Sequence, residues 1–176
     1  MNTTGTTIRS ESRLAIASSV LDVWAYICDV GRWPQWAPTV DDCWVQGGGP
    51  LVPGARVEQR AKLILGATRH RAQRVTAVEA PHSLAFAGPM ATSAARWGMR
   101  FVPIDDGQTE AEMWVEVDLR NVMRALPSRA LNSRIQRVMD VEMIAIKAAV
   151  ESPAPSRSHA PTGESRRDGI RSRSTP

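Results

Sequence analysis

Apolar and polar residues alternate along most of this chain, and the alternation gives way to a helical period in two places, one near each end. Ile8, Ser10, Ser12, Leu14 and Ile16 share one face of an extended segment against Arg9, Glu11 and Arg13, which predicts a strand over 8–17 with one wet side. Val20, Val23, Trp24 and Ile27 then fall on one helical face. Ser19 is placed to cap that helix with Asp22 three residues on, and Gly31 suits a left-handed stop. Trp33-Pro34-Gln35-Trp36 reads as a proline-led turn, followed by a strand over 40–46 and a loop through Gly47-Gly48-Gly49 and Pro53-Gly54. That loop is no phosphate cradle, because neither Gly-Lys-Ser/Thr nor a helix follows it.

Val57, Gln59, Ala61, Leu63 and Leu65 alternate with Arg56, Glu58, Arg60 and Lys62, a half-buried strand turned by Gly66-Ala67. In the next segment, 68–79, Arg69, Arg71 and Gln73 share a face with Val75, so either a polar group sits near the core or the strand starts as an edge. Pro81-His82-Ser83 turns into a short strand over 84–87. Ala95, Trp97, Met99 and Phe101 then face one way, as do Ala111, Met113, Val115, Val117 and Leu119 beyond an Asp105-Asp106-Gly107 turn. Facing the two apolar sets together puts Phe101 opposite Ala111, Arg100 opposite Glu112, Arg96 opposite Glu116 and Trp114 over Gly98. A closing helix begins between Val122 and Pro127 and runs to about Glu151, with Leu131, Ile135, Val138, Met139, Met143, Ile146 and Val150 as its apolar stripe. Residues 1–7 and the Ser, Pro and Arg-rich stretch 152–176 carry no apolar period and are expected to be disordered.

Several of these pieces together resemble the START-like, or SRPBCC, superfamily in its polyketide cyclase/dehydrase branch. They are Ala17-Ser18-Ser19, Val23-Trp24, Asp29, Trp33-Pro34-Gln35-Trp36, Pro38, Val40, Pro53-Gly54, Val78-Glu79-Ala80-Pro81, and Phe101-Val102-Pro103 ahead of Asp106-Gly107-Gln108-Thr109. The resemblance spans residues 8–151 as one domain. It implies an α+β helix-grip fold, in which a curved antiparallel sheet wraps a long C-terminal helix and leaves an apolar cavity between them. One fold hosts many functions, so the reaction is a separate question.

Charge changes the picture less than the isoelectric point of 9.8 suggests. The formal excess is +4, and residues 152–176 hold five Arg against Glu164 and Asp168, so the domain itself is nearly neutral. No nucleic-acid partner is expected. The N-terminus lacks a signal-type apolar core and no apolar run is long enough to span a bilayer, which favours a cytoplasmic protein without membrane insertion. Cys28 and Cys43 have neither disulfide-framework nor zinc spacing. Among His70, His82 and His159 there is no metal motif, and no nucleophile triad, Rossmann or P-loop pattern occurs, so neither metal nor cofactor is expected.

Six tryptophans are many for 176 residues. Trp24 and Trp36 read as core, and Trp33 either packs the turn against the long helix or, with Trp44 and Trp97, lines a pocket for a flat or greasy ligand, with Met99, Phe101, Met113, Met139 and Met143 filling or bordering it. Glu142 is out of place, since its helical angle lies inside the apolar stripe. Either it reaches solvent or an Arg, or it is a pocket acid with Gln59, Arg69 or Arg71 as companions, able to act as the catalytic acid. Three functions follow: a binder of a small lipid or polyketide-like molecule, a cofactor-free polyketide cyclase/dehydrase, and a protein-interaction or quinone-chaperone-like member of the same superfamily. The ligand and the oligomeric state are not readable from the residues.

Overall fold

The computed structural model describes residues 7–62, 68–90, 93–118 and 128–152. The element order is β1 (Thr7–Ile16), α1 (Val20–Cys28), a 3-10 turn (Val30–Arg32), α2 (Trp33–Trp36), β2 (Val40–Val45), β3 (Arg56–Lys62), β4 (Thr68–Glu79), β5 (Ser83–Met90), β6 (Ser93–Asp105), β7 (Gln108–Asp118) and α3 (Ser128–Glu151). The seven strands form one antiparallel sheet in the order β1-β7-β6-β5-β4-β3-β2. Register shifts at Val40/Asp42, Val75/Ala77 and Pro103/Asp105 are places where an extra residue bends the strand, and the sheet curves around α3 as a helix-grip fold requires. The expected disorder of 1–7 and 152–176, the Gly66-Ala67 turn and the start of the closing helix lie outside the described residues, apart from Thr7, which opens β1, and Ser152, whose N–H donates to Ala148 O.

Alternation settles the β6–β7 register. Phe101 pairs with Ala111, Arg100 with Glu112 and Arg96 with Glu116, the last as an ion pair of 2.7 Å. Glu116 also takes Arg9 from β1 at 3.0 Å, and Glu112 takes Arg13 at 3.1 Å, so the outer face of these strands is laced by charge. Trp114 does lie over Gly98: a methyl there would stand 2.6 Å from Leu84 O and 2.8 Å from the Trp114 ring. Gly98→Ala is therefore expected to cost about 1–3 kcal/mol through overpacking, read as a lower urea midpoint with unchanged slope.

Polar groups on the inner face of β1 fasten the long helix. Ser10 Oγ donates to Asn132 Oδ1 at 2.6 Å and Ser12 Oγ to Asp140 Oδ1 at 2.7 Å. Lys147 Nζ reaches Ala15 O at 2.6 Å, and Ala17 N–H donates to Glu151 Oε1 at 2.6 Å. Met139, Met143 and Ile146 carry the buried face of α3; Val138, in the expected stripe, is partly exposed but lines the cavity described below, while Val141 and Ile144 face outward. Ser19 caps α1 through its Oγ and gives its own hydrogen to Asp22. Gly31 is not the left-handed stop. The helix already ends at Cys28, Asp29 N–H bonds back to Ala25 O, and Gly31 sits in the 3-10 turn.

Candidate functional site

A cavity of about 460 Å³ lies between the inner face of the sheet, α2 and the first half of α3. Its aromatic end is set by α2. Trp33 is fully buried and its indole N–H donates to Ile27 O at 2.9 Å, which ties the proline-led turn back onto α1. Trp33 meets Phe86 edge-on at 5.4 Å and Trp97 at 5.4 Å, while Phe86 and Trp97 stack at 4.4 Å. Such contacts fix ring orientation at small entropy cost, so this wall is preformed. Trp36, Met113, Val115, Leu131, Ile135 and Met139 continue the apolar lining.

One side of the cavity is polar, and it comes from the ambiguous face of β4. Arg71 and Gln73 point inward, opposite Gln59 and Val57 of β3. Gln59 Oε1 accepts from Arg71 Nε at 2.7 Å and from Gln73 Nε2 at 3.0 Å, and Gln73 Oε1 accepts the indole N–H of Trp97. The chain of amides thus orients both the guanidinium and the tryptophan. Across from it, Glu142 of α3 lines the same cavity. Burial pushes its carboxyl up to about 7, with the Arg71 cation pulling the other way, and burial likewise lowers the affinity of Arg71 for its proton. Glu142 is therefore split between acid and carboxylate near neutrality. The arrangement offers a greasy slot, a fixed cation and a proton donor.

Trp33, Gln59, Arg71, Trp97, Met113, Met139 and Glu142 of the expected residues meet here. Five do not. Trp44 is on the outer face, tilted against His70 at 5.7 Å, because the irregularity in β2 turns Val40 and Cys43 inward and leaves Trp44 out. Arg69 has the inward parity of Arg71 but sits near the strand's end, exposed, in a separate cationic cleft of about 700 Å³ with Lys62, His70 and Arg74; Arg71 borders both. Met99 and Phe101 are buried in solid core, Phe101 edge-on to Trp24 of α1 at 6.1 Å, and Met143 packs one turn beyond the cavity.

Trp36 was assignable to the core but also lines the cavity, and its Nε1 has no hydrogen-bond partner among the described residues. Arg134 and Arg137, at the mouth, lie off the centre of the apolar stripe, and only the assembled fold shows what they border. Gln73 carried a signal: it is two residues from Arg71 on the same face. Among the described residues no cluster of three His, Cys, Asp or Glu side chains is placed to hold a metal ion.

A family model described as polyketide cyclase / dehydrase and lipid transport matches residues 7–151. The fold is similar to a START superfamily protein from Mycobacterium smegmatis, with a TM-score of 0.67 and 15% identity over 81% of this chain and 97% of that one. It is also similar to the Zhui aromatase/cyclase from Streptomyces sp. R1128, with a TM-score of 0.67 and 13% identity over 83% and 94%. The di-domain ARO/CYC StfQ from the steffimycin biosynthetic pathway matches with a TM-score of 0.64 and 14% identity over 82% of this chain and 51% of that one. A search of curated proteins finds no match.

Proposed function

Because the chain belongs to the polyketide cyclase/dehydrase and lipid-transport family, we propose that its work is to hold one small apolar molecule, lipid or polyketide-like, in the cavity between sheet and α3. The observation that carries this reading is the preformed aromatic wall of Trp33 and Trp97, backed by Phe86, facing an apolar space of about 460 Å³ with a few convergent polar groups. Among the described residues no helix is long and apolar enough to cross a membrane. The free thiols of Cys28 and Cys43 fit a reducing compartment, and we place the protein in the cytoplasm.

Native mass spectrometry of the purified protein, with denaturing extraction of whatever travels with it, tests the reading directly. A co-purified apolar molecule supports it; a clean apo mass together with no thermal shift across an apolar compound library would sink it. Trp97→Ala is expected to weaken binding of any compound so found by about tenfold or more, because the stacked ring and its link to Gln73 disappear together. Unchanged affinity in a titration would remove Trp97 from the site.

A second reading, cyclisation or dehydration of a polyketone, is favoured by the position of Glu142. An acid poised near 7 beside the slot is suited to protonate a ketone oxygen as the chain folds onto itself, and the walls supply the folding. On that reading Glu142→Gln abolishes turnover while leaving apolar binding intact.

A further inference from the structure

The cavity holds a guanidinium that makes no close ion pair among the described residues, although Glu142 across the cavity acts on it electrostatically. Arg71 Nε donates to neutral Gln59, whose oxygen is already shared with Gln73, and among the described residues no carboxylate comes within ion-pairing distance of Arg71. A cation bordering an apolar slot is costly without a counter-charge. Trp36 adds an indole N–H that is buried and unpartnered among the described residues, at the same cavity. Both groups await acceptor oxygens, which a plain hydrocarbon does not have.

Building on the reading of the cavity as the site of one small apolar molecule, we propose that this molecule carries a single acidic oxygen head group that pairs with Arg71, and that Glu142 takes up a proton from solvent when it binds. The cavity has a counter-charge requirement of one. With Glu142 ionised, a second anion would leave two negative charges to one guanidinium against walls of tryptophan and methionine, so one of them must be neutralised.

The other groups around Glu142 leave that balance standing. From β2, Cys43 has its thiol pushed up to about 12 by burial and is neutral throughout. From α3, Arg134 and Arg137 border the mouth with exposed side chains that water screens, and Asp140 is turned to Ser12 and Gln136. Among the described residues, β3 contributes Gln59, while α2, β6 and β7 contribute only Trp33, Trp36, Trp97, Met113 and Val115. The carboxyl of Glu142, held at about 7 by burial, is the group that yields.

The experiment is titration calorimetry with dodecanoate and with dodecanol, in buffers of different ionisation enthalpy, across the neutral range. Dodecanoate is expected to bind more tightly than dodecanol, to take up approaching one proton at about pH 8, and to lose roughly tenfold in affinity between about pH 6 and pH 8. Dodecanol takes up none. Glu142→Gln should bind dodecanoate without proton uptake and without that loss, and Arg71→Gln should lose the preference for the acid while keeping the alcohol. Binding of both compounds with equal affinity, or of the acid without proton uptake, would overturn the inference and leave the apolar site standing. Binding of neither, with no thermal shift, would overturn the site as well.

Discussion

At about pH 8 the Glu142→Gln protein is expected to be more stable than its parent by about 2–3 kcal/mol, and the difference should vanish below about pH 4. The cause is burial. In the unfolded chain Glu142 titrates near its ordinary 4.5, whereas in the fold it holds its proton up to about 7. Between those values the folded state binds the proton and the unfolded state does not, so stability falls as pH rises through that window and stays low above it. An amide of the same shape never pays the cost of ionising against Trp97 and Met139. Urea unfolding of both proteins at several pH values reads the effect. Parallel stability curves would mean that Glu142 is well solvated, and would remove it as a candidate acid.

How far the fold and site were legible follows from which residues obey a simple period. The β6–β7 hairpin does: apolar alternation on one face and Arg96–Glu116 and Arg100–Glu112 on the other leave only one register, and that register is the one adopted. Glu142 was legible because a 3.6-residue period places it inside the apolar stripe, of which Leu131, Ile135, Val138 and Met139 line the cavity. Trp44 was not, because the irregularity after Val40 shifts the alternation and reverses the face on which it lies. Met99 and Phe101 kept the right parity, yet parity says which side of a sheet a residue faces and not what covers it there; α1 covers Phe101, and the cavity opens further along. The polar face of β4 conflicts with a simple apolar alternation, and only pairing with β3 resolves it, by bringing Gln59, Arg71 and Gln73 into one hydrogen-bonded set.

Trp33→Ala is expected to cost about 3–5 kcal/mol, the largest loss available to a single side chain near the site. The ring is 1% exposed, touches Trp36, Phe86 and Trp97, and closes the only turn of α2 onto α1 through Ile27 O. Removing it leaves a void continuous with the cavity and a carbonyl without its donor. Against a total stability of roughly 5–15 kcal/mol for a domain, that corresponds to a fall of roughly 10–15 °C in Tm. Trp33→Phe keeps the edge contact and loses the hydrogen bond, and should lose clearly less. Scanning calorimetry separates the two, and near-ultraviolet circular dichroism reports whether Trp97 keeps its fixed environment. A Trp33→Ala protein as stable as the parent would mean that α2 is not held against the sheet by this ring, and that the aromatic wall is assembled by the ligand instead of waiting for it.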